Sequence, residues 1–357
     1  MRPLRLACLG MITASLAGCG SSHTSTATGG NHDSGAGTGG TSAAGDSGAD
    51  AAPASRLSAS ARAELTALDV MKYSGQAVAT GEETLATGVR VSFDPASGPI
   101  CLRGDPYAAF YLDRSSDKTM ILLDGGGACW TGLCQADATA DAVIAPIGPA
   151  ADDPASYFHD WNVIFAPYCD GSVFSGDNDL TETDGTARHQ HGRQNLAAAL
   201  DLATQHFASS KQVLLGGFSA GGYGTIMGMV AVRLLFPTAD LFVMDDSGPG
   251  VQNLSNTAAI ETRITEWKFD QVIPASCTEC AGGRGQLTAM FSWMMKNDPT
   301  IQIFLLSYYE DPVIGLAFNG LLGPAYKALL IQETDKVQQA YPDRFKRYMV
   351  PGANHVL

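Results

Sequence analysis

The stretch L-L-G-G-F-S-A-G-G-Y, from Leu214 to Tyr223, predicts a buried strand, a tight turn and a helix in immediate succession. Its apolar part ends in two glycines, and an amphipathic pattern then runs from Tyr223 to Leu235. Ser219 would stand at the apex of the turn in a strained backbone conformation. A Cβ atom at Gly217 or Gly221 would crowd the neighbouring strand and helix, which explains glycine on both sides.

The pattern G-x-S-x-G around Ser219 is typical of a nucleophile elbow, in which a serine projects from the carboxyl end of a sheet. The alternative is a Gly-Ser-rich turn that joins a strand to a helix and carries no chemistry. The apolar strand before the turn and the helix after it favour the nucleophile.

Apolar runs elsewhere alternate with helical patterns, which indicates a doubly wound, mostly parallel sheet with helices on both faces, an α/β fold. Further strands are predicted at Val89–Phe93, Ala108–Leu112, Thr119–Leu123, Trp161–Ala166, Asp240–Met244, Ile301–Ser307 and Arg347–Val350, and further helices at Arg62–Met71 and Arg193–Ala208.

A serine nucleophile needs a histidine base and a carboxylate that orients the histidine. His355 is the single histidine that follows Ser219, in agreement with the order serine, acid, histidine that accompanies the elbow. Asp311, after the strand Ile301–Ser307, is the preferred acid. Glu310 and Asp246 remain alternatives, although capping or turn formation would also explain acidic residues there.

A second glycine-rich loop, D-G-G-G-A-C-W from Asp124 to Trp130, follows the strand Thr119–Leu123. Three glycines leave backbone N–H groups uncovered. Such a loop, together with the residue after the nucleophile, can form an oxyanion hole. A plain turn is the simpler alternative. A phosphate-binding loop is disfavoured because no Lys-Ser/Thr pair follows.

The ends of the chain differ in composition from its middle. Residues 1–19 resemble a signal peptide that ends in Leu16-Ala17-Gly18-Cys19, a lipobox-like sequence, so we expect a lipidated Cys19 at the surface of the cell envelope. An ordinary exported protein is the alternative. Residues 20–56, rich in Gly, Ser, Thr and Ala, predict a flexible tether. Residues 57–357 predict a single domain.

Six cysteines lie in that predicted domain: Cys101, Cys129, Cys134, Cys169, Cys277 and Cys280. An even number in an exported chain indicates disulfides. Cys129–Cys134 and Cys277–Cys280 are close enough to form local loops, which leaves Cys101 and Cys169 for each other. A zinc site built from the four local cysteines ranks second, because only Cys277 and Cys280 have suitable spacing.

Charge and motifs exclude several other classes of function. A net charge of −14 argues against a nucleic-acid partner, which would favour a basic surface. No motif predicts a cofactor. The sequence His189-Gln190-His191 could indicate a metal site, but two histidines alone are a weak signal and solvated loop histidines are the preferred interpretation.

Five segments together resemble the pectin acetylesterase/Notum family of α/β-hydrolases. They are C-L-R-G-D-P-Y from Cys101, L-D-G-G-G-A-C from Leu123, Y-C-D-G-S-V-F-S-G-D from Tyr168, G-F-S-A-G-G from Gly217, and D-S-G from Asp246. Their order and spacing make the resemblance specific up to Gly248, after which only Asp311 and His355 remain as anchors.

The resemblance implies a serine carboxylesterase in which Ser219, Asp311 and His355 form the catalytic triad. It also implies an oxyanion hole formed by the backbone amides of Gly126, Gly127 and Ala220, and we expect Trp130, Tyr168 and Asp170 to contact the substrate. The implied substrates are O-acetyl esters of a polysaccharide such as pectin, or fatty-acyl esters of a protein. A non-catalytic surface protein that binds glycan through Trp130 and residues 168–177 is the alternative from another class.

Overall fold

The computed structural model describes residues 55–140 and 153–357, which lie within one compact unit, Ala54–Leu357. The predicted signal peptide, its Cys19 and most of the predicted tether lie outside the described residues. Among the described residues the chain forms thirteen strands and six α-helices. No described helix combines the length and the apolar composition that crossing a membrane requires.

The strands are β1 (Ala79–Leu85), β2 (Gly88–Phe93), β3 (Ala108–Leu112), β4 (Lys118–Leu123), β5 (Gly127–Trp130), β6 (Leu133–Ala136), β7 (Asn162–Ala166), β8 (Asn178–Thr181), β9 (Ala187–Gln190), β10 (Gln212–Phe218), β11 (Asp240–Asp246), β12 (Gln302–Tyr308) and β13 (Phe345–Val350). The helices are α1 (Ala59–Ala67), α2 (Gly192–Phe207), α3 (Ala220–Leu235), α4 (Thr257–Trp267), α5 (Ala289–Asn297) and α6 (Gly323–Ala340).

Nine of the described strands form one sheet in the order β1-β2-β3-β7-β4-β10-β11-β12-β13. Six of these strands run parallel: β7, β4, β10, β11, β12 and β13. The other three, β1, β2 and β3, pair antiparallel with their neighbours. The predicted α/β class and mostly parallel sheet, flanked by helices, are therefore confirmed. Two separate hairpins, β5–β6 and β8–β9, lie outside this sheet.

In the main hydrophobic core, helix α3 packs against side chains of the central strands of the sheet. Ile121, Leu215 and Val243 from three adjacent strands are fully buried and belong to one cluster with Ile226 and Val230 of α3. Helix α3 is apolar on nearly all sides and almost entirely buried, as expected for a helix in the centre of a large domain. This packing holds the amino end of α3 at the carboxyl edge of β10.

One predicted element is displaced along the chain. The helix expected at Arg62–Met71 is instead α1, which begins at Ala59 and ends at Ala67. Ser58 caps it, because its side-chain oxygen accepts a hydrogen bond from the amide of Ala61 at 3.2 Å. The apolar residues beyond Ala67 mimicked a continuing helix, but they lie in turns that pack against the core.

The three predicted disulfides are confirmed. Cys101 pairs with Cys169, Cys129 with Cys134, and Cys277 with Cys280. The alternative zinc site is excluded, since each of its four sulfurs is already bonded to another sulfur. Cys129 and Cys134 lie directly opposite each other and join β5 to β6.

Candidate active site

Ser219 occupies the strained turn that its flanking glycines predicted. Its backbone has φ 55° and ψ −116°, a region that side-chain-bearing residues rarely adopt, and it immediately precedes α3. A Cβ at Gly217 would lie 2.2 Å from the carbonyl oxygen of Gly221, and one at Gly221 would lie 2.1 Å from that of Leu123. The steric reason for both glycines is therefore confirmed.

The structure brings Ser219 together with His355. The Ser219 hydroxyl oxygen lies 2.7 Å from Nε2 of His355, although 136 residues separate them in sequence. Ser219 is half-buried, and the His355 side chain retains 21% of its accessible surface. A small molecule from solvent can therefore approach this pair.

Asp311 completes the contact on the other side of the imidazole. Its Oδ2 lies 2.7 Å from Nδ1 of His355, and the carboxylate is fully buried. Its Oδ1 accepts hydrogen bonds from the backbone amides of Val313 at 2.8 Å and Ile314 at 3.1 Å. These two bonds fix the orientation of the carboxylate, so that Oδ2 points at the histidine.

The two alternative acids, Glu310 and Asp246, make other contacts. Glu310 turns toward the start of α6, where its carboxylate would be 2.8 Å from a Cβ at Gly323. The side chain of Asp246, the last residue of β11, contacts the backbone of the segment that contains His355. Its Oδ2 accepts a hydrogen bond from the amide of Leu357 at 3.0 Å.

Ser247 links Asp246 to the same segment. Its hydroxyl lies 2.8 Å from Oδ1 of Asp246 and also contacts the carbonyl oxygen of His355. The single hydroxyl proton of Ser247 is therefore shared between the carboxylate of Asp246 and the carbonyl oxygen of His355. Burial raises the pKa of Asp246 to about 6, against the opposing influence of the hydrogen bonds from Ser247 and Leu357 and of nearby His355. The sequence analysis quoted Ser247 only within the D-S-G segment and gave it no role, because no local motif marks a contact to a residue 108 positions away.

The glycine loop after β4 lies beside the serine. A Cβ at Gly125 would be 2.7 Å from the ring of Phe218, and one at Gly221 would be 2.7 Å from the carbonyl oxygen of Asp124. Gly126 packs against Tyr168, and Gly127 begins β5 with a φ of 83°. The amide of Ala220 belongs to the first turn of α3, where helix geometry provides no intrahelical partner. The contacts of Gly125 thus bring this loop to Phe218, next to Ser219, and the oxyanion role of Gly126, Gly127 and Ala220 stays a prediction.

The three residues predicted to contact substrate are buried. Tyr168 is 1% exposed, and its hydroxyl accepts a hydrogen bond from the amide of Val173 at 3.0 Å. Asp170 is fully buried and accepts hydrogen bonds from the amide and hydroxyl of Ser172, while burial raises its pKa to about 6. Both side chains support their own loop in this structure, and substrate contact by them stays a prediction.

Trp130 belongs to an aromatic cluster that the sequence analysis did not find. It meets Trp267 and Phe318 edge to face, and the guanidinium of Arg263 lies 5.5 Å from its ring centre. Phe318 also stacks on Tyr223, one helical turn after Ser219. These residues come from four separate parts of the chain, so only the fold brings them together.

A small cavity lies within this cluster. Its volume is about 20 Å³, which leaves room for about one water molecule. The residues that line it include Val173, Tyr223, Arg263, Trp267 and Phe318. The cavity adjoins Tyr223 of α3, and neither Ser219 nor His355 lines it.

The nine-stranded sheet, the strained serine and the histidine after the last strand together define the class of α/β-hydrolases. Comparison with known proteins narrows this class. The family model described as pectinacetylesterase matches residues 148–308, a region that includes Ser219 and ends before Asp311 and His355.

Curated relatives of this chain carry the names of two kinds of esterase. Pectin acetylesterase 5 of Arabidopsis thaliana is 30% identical over 145 residues, 36% of this chain and 34% of the relative. Pectin acetylesterase 11 of the same organism is 25% identical over 209 residues, 51% of this chain and 52% of the relative. Palmitoleoyl-protein carboxylesterase NOTUM of Schmidtea mediterranea is 38% identical over 72 residues, 20% of this chain and 13% of the relative.

The match to the family model and the relatives of both kinds support the resemblance to the pectin acetylesterase/Notum family that the sequence motifs indicated. The aligned region spans about a third to a half of the length of the pectin acetylesterases described above.

Proposed function

We propose that this protein is a serine carboxylesterase that removes O-acetyl groups from a polysaccharide. The observation that carries the proposal is the pair of 2.7 Å contacts that join Ser219, His355 and Asp311 in one line. The names of the relatives support hydrolysis of a carboxylic ester. Pectin acetylesterases and a palmitoleoyl-protein carboxylesterase are both carboxylic ester hydrolases by name.

In the proposed mechanism the hydroxyl oxygen of Ser219 attacks the ester carbonyl while Nε2 of His355 takes its proton. Asp311 accepts the hydrogen bond from Nδ1–H, which selects the reactive tautomer and stabilises the imidazolium that forms. The amides of Gly126, Gly127 and Ala220 would donate hydrogen bonds to the developing oxyanion.

The reaction is completed in two stages. The tetrahedral intermediate collapses as His355 gives its proton to the departing sugar oxygen, which leaves an acyl group on Ser219. Water then loses a proton to His355 and attacks that acyl group, and His355 returns the proton to the oxygen of Ser219 as the carboxylic acid is released. All of these steps use side chains and backbone amides of this protein, and the only reactants are the ester and water.

The aromatic contact between Tyr223 and Phe318, one helical turn from Ser219, supports a short acyl group if the acyl chain enters there. The cavity of about 20 Å³ at Tyr223 and Phe318 is far smaller than the volume of a fatty-acyl chain. Entry of such a chain would require the aromatic cluster to open and would expose its apolar surface to water. An acetyl group makes no such demand.

Substrate length and catalysis can be tested in one assay. The purified full chain should hydrolyse p-nitrophenyl acetate, and kcat/KM should fall as the acyl chain is lengthened to butyrate, octanoate and palmitate. A rate that rises with acyl length would favour fatty-acyl esters, and no turnover of any ester would favour the non-catalytic glycan-binding protein. Release of acetate from acetylated pectin then tests the polysaccharide.

The nucleophile is tested by Ser219→Ala, with Ser255→Ala, an exposed serine, as the matched control. Loss of Ser219 should lower kcat/KM by on the order of 10⁴-fold or more, because the triad acts as a unit, while the melting curve shows a folded protein. Near-parental activity of Ser219→Ala would show that the serine assignment is wrong.

We further infer an exported protein held at the cell envelope through Cys19. Three disulfides support an oxidising compartment. Incorporation of a labelled fatty acid into the expressed chain, and its loss in Cys19→Ala, tests the lipid anchor. Equal labelling of both chains, or of neither, would contradict it.

A further inference from the structure

The hairpin β8–β9 presents three possible metal ligands on one face. Asp179 lies directly opposite His189 in the antiparallel pair, and His191, just after β9 at the start of α2, contacts the same carboxylate. Arg188 and Gln190 point to the other side and are buried. Ten residues separate Asp179 from His189, and only the pairing of the two strands brings the carboxylate to the histidines.

The three side chains converge on a common point. Oδ1 of Asp179 lies 2.6 Å from Nδ1 of His189 and 3.0 Å from Nε2 of His191, and the ligand atoms all lie within 4.8 Å of one another. Bonds of about 2.1 Å to one tetrahedral ion place the ligand atoms about 3.4 Å apart. The two separations from Oδ1 of Asp179 are shorter than that, so a small outward movement of its exposed side chain would admit an ion.

The second nitrogen of His191 is held in the way that metal-binding histidines usually are. Its Nδ1 lies 2.7 Å from the carbonyl oxygen of Gly98, which can only accept a hydrogen bond, so Nδ1 carries the proton. In the neutral imidazole, Nε2 then directs a lone pair at the carboxylate of Asp179. Two electron-rich atoms in contact need a cation, either a proton or a metal ion, to hold them together.

Accessibility and ligand chemistry favour this cluster over its neighbour. The Asp179 side chain is 64% exposed, whereas those of His189 and His191 are 27% and 16% exposed, so an ion can enter from solvent between ordered imidazoles. Cys129, Cys134 and Glu182 also lie close together among the described residues. The disulfide between those two cysteines removes the thiolates that a metal would need.

We propose that Asp179, His189 and His191 bind a divalent transition-metal ion of the zinc class, with water in the remaining positions. Two imidazoles and one carboxylate suit zinc, copper or nickel, whereas calcium and magnesium prefer ligand sets made only of oxygen. The site is separate from Ser219 and His355. This proposal departs from the sequence-based preference for solvated loop histidines, which considered His189 and His191 without Asp179.

The position of the site indicates a structural role. The ion would join the hairpin to the loop that carries Gly98. On the opposite face of β9, Arg188 pairs with Glu266 at 2.6 Å, and Nε2 of Gln190 donates to the carbonyl oxygen of Cys129 at 2.5 Å. A metal on one face would therefore steady the hairpin that holds β5 on the other.

The test uses the full chain, stripped with a chelator and then dialysed against Zn²⁺, with bound zinc measured by elemental analysis. We expect one ion per chain and a rise in Tm of a few degrees at saturation, with no comparable rise from Mg²⁺ or Ca²⁺. Asp179→Asn and His191→Ala should each weaken binding by at least about tenfold. His159→Ala, a surface histidine, is the matched control and should bind like the parent.

Two results would overturn the proposal. One is zinc binding equal in the parent and in Asp179→Asn. The other is binding that disappears in His355→Ala and persists in both hairpin variants, which would place the ion at the triad. If His191→Ala does not fold, Asp179→Asn and the visible absorption spectrum of bound Co²⁺ give the answer, since loss of a ligand changes that spectrum.

Discussion

The carboxyl ends of β11 and β12 each carry an aspartate near His355, but the two carboxylates contact different parts of the histidine segment. Asp311 contacts the imidazole, and its other oxygen is fixed by two backbone amides. Asp246 binds the amide of Leu357, and Ser247 contacts the carbonyl oxygen of His355. One strand end orients the ring, whereas the other holds the backbone that carries the ring.

The difference explains why two acids with similar positions in sequence should have different functions. A carboxylate at Nδ1 acts on the protonation state of the base, so its effect belongs to the reaction. A carboxylate that binds backbone groups acts on the placement of the loop, so its effect belongs to stability and geometry. Each prediction below would weaken or sharpen this distinction.

The largest expected effect is that of Asp311→Asn. An amide at this position can donate a hydrogen bond to Nδ1 and thereby favour the wrong tautomer, so kcat/KM near pH 7 should fall by on the order of 10⁴-fold. Asp246→Asn is the matched control and should cost less than about tenfold, because backbone hydrogen bonds contribute about 1 kcal/mol each. Ester hydrolysis by folded proteins with equal melting curves gives the ranking, and the reverse ranking would assign the triad acid to Asp246.

A smaller effect concerns the pH dependence of stability. The folded protein raises the pKa of Asp246 to about 6, so between about pH 4 and pH 6 the folded state holds a proton that the unfolded state has released. The stabilisation from this group is therefore complete below about pH 4 and is lost as the pH rises through 6, a change of up to about 3 kcal/mol.

Asp246→Asn should lack that titration. Urea unfolding of the parent and the variant at pH 4, 5, 6 and 7 gives the difference in the free energy of unfolding at each pH. The parent should lose stability relative to the variant as the pH rises. A difference that stays constant across the series would show that Asp246 does not titrate in this window.

The smallest expected effect is that of Ser247→Ala. The variant loses the hydroxyl that contacts both Asp246 and the carbonyl oxygen of His355, so the free energy of unfolding should fall by about 1 kcal/mol. The value of kcat should fall only a few-fold, because the ring contacts of His355 remain. Urea unfolding and ester kinetics measure the two quantities, with Ser255→Ala as control. A loss of activity as large as that of Asp311→Asn would remove the distinction between the two strand ends.

Much of the site follows from local sequence. The run from Leu214 to Tyr223 predicts β10, the turn at Ser219 and the start of α3, because a Cβ at Gly217 would collide with the backbone of Gly221 in the same turn. The apolar runs before Asp246 and Asp311 likewise predict β11 and β12. Short spacing predicts the disulfides Cys129–Cys134 and Cys277–Cys280, and the even cysteine number leaves Cys101 for Cys169, 68 residues away. Apart from that last pair, each of these signals lies within a few residues of the feature it predicts.

The remaining features depend on contacts between distant parts of the chain. The choice between Asp311 and Asp246 as the neighbour of the imidazole depends on how the segment after β13 folds back over two strand ends. The aromatic cluster at Trp130 and the convergence of Asp179 with two histidines depend on strand pairing and helix packing. The sequence by itself determined the sheet, the elbow and the nucleophile candidate, since strand and turn preferences are local. Only the tertiary structure decided which carboxylate meets the imidazole, because Asp311 and His355, 44 residues apart, follow two strands that lie side by side only when the sheet has formed.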